Sequence, residues 1–291
     1  MGLFCLESGA WIACAKSRFK VHESRLFRRL FHYLRPGDTI VTDRGFCSYW
    51  IIAELCARGV DVVMRIHQMR KIDFRSGERF GECDHLIVWK KPQRPRWMSK
   101  NLYATMPKEL TLRETRLKAQ RKGFRTQKIV LVSTFLDADE KSREDLGKLF
   151  LDRWRVELYF DDIKTTMGMD VLRSKSPELI CRELLMHMIA YNLIRALAQR
   201  SGVDPNRASF KGIVDRVNVW SWVIWAAPTR GKAAKVVVAL FETIAEDLVA
   251  KRPGRREPRV VKRRPKPHQY LTKPRKEMIE IPHRSKYRKA A

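Results

Sequence analysis

The chain has 291 residues, of which 44% are hydrophobic, so it can bury a sizeable core. Lys and Arg total 60 against 32 Asp and Glu, which gives a formal net charge of +28. A surplus of this size disfavours a compact state unless a polyanion neutralises it, and nucleic acid is the commonest such partner. No apolar run of about 18 residues predicts a membrane span, and the cysteines and histidines show no metal-binding spacing.

Strands and helices alternate in the first part of the chain. Apolar runs separated by turn residues predict the strands, and apolar residues spaced three or four apart predict the helices. The predicted elements are a strand pair within 2–6 and 11–14, a helix at 23–34, a strand at 39–42, a helix at 47–58 and a strand at 60–66. This alternation indicates a mostly parallel or mixed sheet with helices on its faces.

Charge and proline content rise after residue 66, and helices dominate from about residue 139. Short strand candidates lie at 85–90, 109–117 and 127–135, which indicates a β-rich insertion. Apolar periodicity then predicts helices at 141–168, 176–200, 208–225 and 232–250.

The last 41 residues hold 16 Lys or Arg and 3 Asp or Glu, many prolines and no apolar period. Such a composition predicts a disordered basic tail, which leaves a net charge of +15 on the rest of the chain. We therefore divide the chain into five parts. They are the first part of a core (1–66), the insertion (67–138), the second part of the core (139–200), C-terminal helices (201–250) and the tail (251–291).

The most informative stretch runs from Phe150 to Lys164. On a single helix, Phe150, Arg153, Glu157 and Lys164 share one narrow face. An acid flanked by two cations suits a metal-bound phosphate, because the carboxylate binds the metal and the cations bind phosphate oxygens. A solvated face with an Arg153–Glu157 ion pair is the alternative, and spacing does not decide between them.

Two further candidates stand where predicted strands end. Asp43 follows the strand at 39–42, and ligand sites in open α/β sheets gather at such strand ends. A simple helix cap is the alternative for Asp43. Arg65 closes the strand at 60–66 and suits either a DNA contact or a solvent-exposed strand end.

Two motifs carry a resemblance to a known family. Asp43-Arg44-Gly45-Phe46-Cys47-Ser48-Tyr49 resembles the segment around the second acid of DDE transposases from bacterial insertion sequences. The stretch 150–164 resembles the Tyr-x2-Arg-x3-Glu-x6-Lys signature of the insertion-sequence-four family, with Phe150 in place of the Tyr. A β-rich insertion between the second and third acids is also a trait of that family, and the resemblance spans roughly residues 2–200.

The resemblance implies an RNase H-like, retroviral-integrase-like α/β core in which three acids bind two Mg²⁺ and the phosphodiester is displaced in line. It makes Asp43 the second acid and Glu157 the third, both catalytic metal ligands. Phe150, Arg153 and Lys164 become DNA contacts, with Arg65 as a further candidate. The implied partners are double-stranded DNA, at element ends and target, and a second copy of the chain on that DNA. We expect a cytoplasmic bacterial protein that joins the nucleoid when bound to DNA.

One departure from the family concerns the first acid. In the family it lies on a strand that precedes the strand pair at 2–14, and Glu7 and Asp38, the nearest acids here, do not match its motif. We therefore expect a core that lacks its first, central strand, from a truncated or wrongly started reading frame. An active transposase and a catalytically inactive DNA-binding remnant are the leading alternatives. A basic RNA-binding protein is the third.

Several apolar residues outside the motifs also carry expectations. The sequence favours a core position for Trp97, within the insertion, over a base-stacking role. It leaves open whether Trp220, Trp222 and Trp225 are core residues or a subunit contact. A thick apolar stripe predicts core packing for Leu184, Leu185, Met188, Ile189, Leu193 and Ile194.

Overall fold

The computed structural model describes residues 1–18, 20–119 and 127–250, and the predicted basic tail lies outside this part. A six-stranded mixed sheet, a separate two-stranded hairpin and helices make up the described chain. The α/β class expected from the sequence is confirmed.

The chain begins with the hairpin of β1 (Gly2–Phe4) and β2 (Trp11–Cys14), which are antiparallel. Gly9 in the connecting turn has φ +72°, a conformation that favours glycine. Phe4 and Trp11 stack with ring centroids 5.6 Å apart and are buried, so this short hairpin is held by aromatic packing.

Helices and two parallel strands follow the hairpin. Helix α1 (Glu23–Arg28) ends earlier than predicted and passes into a 3₁₀ turn at Phe31–Tyr33. Strand β3 (Thr39–Thr42), helix α2 (Tyr49–Cys56) and strand β4 (Asp61–Arg65) then form as the sequence predicts. Strands β3 and β4 run parallel, with Thr42 in register with Met64.

The predicted insertion supplies four strands of the main sheet. They are β5 (Glu78–Gly81), β6 (Asp84–Lys90), β7 (Glu109–Ala119) and β8 (Gln127–Ser133), with the short helix α3 (Lys100–Thr105) before β7. The strand order is β3-β4-β8-β7-β6-β5, and every pair except β3–β4 is antiparallel. Because β8 pairs directly with β4, the insertion strands continue the sheet of the first part of the chain.

Within the described residues, β1 pairs only with β2, and β3 pairs only with β4. Each of β1 and β3 therefore has one edge without a strand partner there. Leu3 of β1 packs against the hydrophobic cluster that contains Ile40 of β3, so the two strands flank the same core.

The C-terminal half is helical. Its elements are α4 (Arg143–Asp152), α5 (Arg155–Asp161), a π-helical turn (Asp162–Thr166), α6 (Pro177–Arg200), α7 (Phe210–Trp225) and α8 (Arg230–Glu246). Helix α4 packs on the main sheet through Leu146 and Phe150. The later helices form a second core that includes Phe4 and Trp11 of the hairpin.

The structure corrects some predictions for apolar residues. Leu185, Ile189 and Leu193 are 50%, 53% and 61% exposed, so the predicted core stripe of α6 is wrong on that side of the helix. The predicted core position of Trp97 is also wrong, because the ring is half exposed beneath the guanidinium of Arg28.

The three C-terminal tryptophans divide. Trp220 packs against the second core, whereas Trp222 and Trp225 are largely exposed. Among the described helices, none is both long and apolar enough to cross a bilayer.

The hairpin turn gives a test of this packing. An added Cβ at Gly9 would lie 1.7 Å from Nη2 of Arg195, whereas Gly37, also at positive φ, has open space around it. We expect Gly37→Ala to lower the free energy of unfolding by about 1–2 kcal/mol through backbone strain alone. Gly9→Ala adds the displacement of a buried side chain, for a loss of roughly 3 kcal/mol or more. Urea unfolding measures both, and equal losses would contradict the packing described.

Candidate active site

Asp43 lies at the carboxyl end of β3. Its carboxylate is exposed, and Oδ1 accepts a hydrogen bond of 2.7 Å from the backbone N–H of Arg44. The helix that follows is capped by Ser48, whose side chain accepts from Ile51 N–H, so the alternative that Asp43 caps this helix is wrong. Because β3 and β4 are parallel and Thr42 is in register with Met64, Asp43 and Arg65 end neighbouring strands at the same edge of the sheet.

The segment around Glu157 is not the single helix that the sequence predicts. Helix α4 ends at Asp152 and α5 begins at Arg155. Between them the backbone forms i→i−3 hydrogen bonds, including Arg153 N–H to the Phe150 carbonyl and Glu157 N–H to the Trp154 carbonyl. These bonds make a tighter turn than the α-helix, which is why the projection of the motif on one helix fails.

The predicted pairing of Arg153 with Glu157 nevertheless forms. An Nη2 of Arg153 lies 3.8 Å from Oε1 of Glu157, and the Glu157 side chain is 49% exposed. The carboxylate is thus accessible and has a cation beside it. This geometry suits an acid that must reach a phosphate-bound metal.

Phe150 supports Arg153 from below. The Phe150 side chain is 7% exposed, and the Arg153 guanidinium carbon lies 5.5 Å from the ring centroid. Val41, two residues before Asp43, packs against the same cluster as Phe150. The turn that carries Arg153 therefore packs on the strand that ends at Asp43.

Lys164 lies on the π-helical turn after α5. The residue is exposed, and its ammonium nitrogen is 5.4 Å from the centroid of the Phe160 ring. Phe160 in turn packs edge-on against Phe4 of the hairpin. Each predicted phosphate-binding cation thus lies close to an aromatic ring, an arrangement that holds a cation and limits its freedom.

Arg195 is a supporting residue that sequence reasoning missed. It is 5% exposed, and its guanidinium donates to the Pro205 carbonyl (2.8 Å) and to Oδ1 of Asn206 (3.1 Å). The same Asn206 oxygen accepts from the Tyr159 hydroxyl of α5 (2.6 Å), and Nδ2 of Asn206 donates to the Glu7 carbonyl (2.7 Å). This network ties the Glu157 helix to the hairpin turn.

A cation inside the buried stripe of α6 was the available sequence signal for Arg195. Its neighbours on that stripe are Tyr191, Ile194 and Ala198. A buried guanidinium requires hydrogen-bond partners, so its place among apolar residues predicts a polar network without identifying the partners.

Asp162, on the π-helical turn, is the perturbed acid nearest in sequence to Glu157. Burial raises the pKa of its carboxyl to about 6; Arg195 opposes this and Asp161 adds to it. Perturbed acids gather at functional sites, although burial next to a structural network has the same effect.

Oxygen donors are the available metal ligands at the predicted site. Asp43 and Glu157 both present exposed carboxylates, which suit a hard cation such as Mg²⁺. Within the described ranges, no three or more His, Cys, Asp or Glu side chains lie close enough together to hold a metal ion.

Comparisons with known proteins agree on one family. The family model described as "Transposase DDE domain" matches residues 3–193. The transposase InsG for insertion sequence element IS4 of Escherichia coli (strain K12) is 29% identical over 287 residues, which cover 93% of this chain and 60% of that protein. The transposase for insertion sequence element IS421 of Escherichia coli is 28% identical over 67% of this chain and 61% of that protein. The chain thus spans about three fifths of the length of these relatives.

The raised pKa of Asp162 predicts a pH dependence of stability. The folded-state pKa of about 6 exceeds the ordinary 3.8, so this residue contributes stability below about pH 4 that is lost as the pH rises through 6. Relative to the parent, Asp162→Asn should therefore be more stable at pH 8 than at pH 4. Urea unfolding at the two pH values measures this, and an effect independent of pH would show the assignment to be wrong.

Proposed function

Because this chain belongs to the family of transposases with a DDE domain, we propose that it cuts and rejoins DNA at the ends of a bacterial insertion sequence. The mixed α/β structure agrees with the RNase H-like fold of that family. One observation carries the proposal. The Phe150 side chain, beneath the Arg153–Glu157 pair, packs in one cluster with Val41 of the strand that ends at Asp43.

In this proposal Asp43 and Glu157 are catalytic acids that hold Mg²⁺. The family uses divalent metal, and exposed carboxylates fit Mg²⁺ by their chemistry. When bound, the metal supplies an activated oxygen nucleophile and neutralises charge on the phosphate.

The cations around Glu157 bind and orient the DNA backbone. Arg153 offers a guanidinium fork to phosphate oxygens, and Lys164 offers a point charge one helical segment later. Arg65 is placed beside Asp43 to contact the backbone at the strand end. Phe150 acts through Arg153, since its buried ring supports the guanidinium.

We further propose that an additional strand completes the site. The edges of β1 and β3 without partners among the described strands flank one core, which supports a strand inserted between them. Such a strand would hydrogen-bond to both edges and bring the third carboxylate that the family resemblance implies.

Reading the DNA upstream of the Met1 codon and expressing the longer frame tests this additional strand. We expect the longer protein to contain a strand with an acid and to cleave DNA in Mg²⁺ at least 100-fold faster than residues 1–291, because a metal ligand is gained. A matched longer protein with that acid changed to Asn should lose the gain. Equal cleavage by the long and short proteins would count against the added strand.

A catalytically inactive DNA-binding protein is the second candidate function. It is favoured by the lack of a three-acid cluster among the described residues. Duplex DNA is the partner in both proposals, and a homodimer on DNA is the proposed assembly.

Glu157→Gln distinguishes the two candidates. If the chain is active, this change should lower Mg²⁺-dependent cleavage of an end-labelled duplex by 100-fold or more, because the amide is a poor metal ligand. Duplex binding should be nearly unchanged. Glu178→Gln is a matched control, since Glu178 is also exposed and pairs with an arginine four residues away.

Each outcome of that assay selects one function. Cleavage by the parent and the control, but not by Glu157→Gln, supports the enzyme. Tight, salt-sensitive DNA binding without cleavage by any of the three proteins supports the binding function. Cleavage that survives in Glu157→Gln excludes the proposed site.

A further inference from the structure

The β7–β8 hairpin extends beyond the rest of the sheet. Pairing of β7 with β6 stops at Thr115, and pairing of β8 with β4 stops at Leu131. Past those points the two strands pair with each other, from Arg116 opposite Val130 to Ala119 opposite Gln127. We call these residues, 116–119 and 127–130, the ribbon arm.

The two faces of the ribbon arm differ in character. Leu117 and Ile129 pack in the hydrophobic cluster beneath α4. Side chains alternate between the faces of a strand, so Arg116, Lys118 and Lys128 lie on the opposite face. That face of the arm therefore carries three cations, and both lysines are exposed.

The register places two like charges directly opposite each other. Lys118 pairs with Lys128 across the two strands, an arrangement that is destabilising by itself. Elsewhere in the sheet the cross-strand partner of Lys90 is Glu109, so opposite charges meet there. A bound anion shared by the two lysines would relieve the repulsion in the arm.

Arg116 gives the arm a cation that is already positioned. Its guanidinium carbon lies 4.6 Å from the centroid of the Phe74 ring, and Nη1 donates to Sγ of Cys83 at 3.4 Å. A side chain held in this way loses less entropy on binding an anion than a free one does.

We propose that the ribbon arm binds the phosphate backbone of duplex DNA, as a contact separate from Asp43 and Glu157. A two-stranded ribbon has the width that the major groove admits, and its cations meet phosphates along the groove. The inference rests on the proposed action of the chain on DNA and names a surface for that partner.

The test compares two double variants of the full chain. Lys118→Gln/Lys128→Gln removes the two arm lysines. Lys90→Gln/Lys148→Gln is the control, because it removes the same charge from exposed lysines that face Glu109 and Asp145. Binding to a 30-base-pair duplex of arbitrary sequence is measured as a function of NaCl concentration.

We expect the arm variant to lose about 1.8 from the slope of log K against log salt, roughly 0.9 for each phosphate contact. Its affinity at 0.1 M NaCl should fall roughly tenfold or more, with the slope of the control nearly unchanged. The melting temperature of the arm variant should stay the same or rise, since the like-charge pair is gone. That result separates lost binding from lost folding.

Three outcomes would overturn the inference: an unchanged slope in the arm variant, an equal decrease in the control, or an equal loss of affinity for single-stranded DNA. The first excludes the contact, the second reduces it to net charge, and the third excludes the fit to a duplex. Failure of the arm is distinguishable from failure of the active site, because Glu157→Gln changes cleavage and leaves the salt slope intact.

Discussion

The buried guanidinium of Arg195 holds together the part of the molecule that presents Glu157. Burying this cation carries a desolvation penalty, which its hydrogen bonds to Pro205 and Asn206 and the faces of two tyrosines offset. Those partners are then fixed in position, and Gly9 must lack a side chain to leave room for the guanidinium. The hairpin turn, α5 and α6 consequently pack as one unit, since removing any partner leaves a buried charge less satisfied.

A second buried guanidinium anchors the helix before the Glu157 turn. Arg113 of β7 is 1% exposed and forms two hydrogen bonds to the carboxylate of Asp84, at 2.8 and 2.6 Å. It also donates to the Lys141 carbonyl, just before α4 begins. Helix α4 is thus fixed to the sheet, and α5 is fixed to the hairpin by Arg195. The irregular turn between them lies between two anchored helices, which explains how a segment with few α-helical bonds can hold Arg153 and Glu157 together.

Much of the fold follows from local signals. Apolar runs bounded by turn residues predict β1–β4 and β6–β8, and each of these strands is present. The family resemblance rests on two motifs of fixed spacing, and the comparison with the DDE domain confirms it. The Arg153–Glu157 pair was also accessible from spacing, because residues four apart meet on any helical turn. The missed elements, β5 and α3, are short and have little apolar content, so they carry little periodic signal.

By itself, the sequence determined the α/β class, the family, the positions of Asp43 and Glu157 at the ends or turns of their elements, and the positive charge. The tertiary structure decided which neighbours those residues have. The break between α4 and α5, the burial of Phe150 beneath Arg153, and the exposure of Trp97 depend on packing that no local pattern encodes. The hydrogen bond from Asn206 to the Glu7 carbonyl spans 199 residues, and the opposition of Lys118 and Lys128 depends on strand register. Periodicity reports the conformation of a segment, but partners distant along the chain are specified only when all segments pack at once.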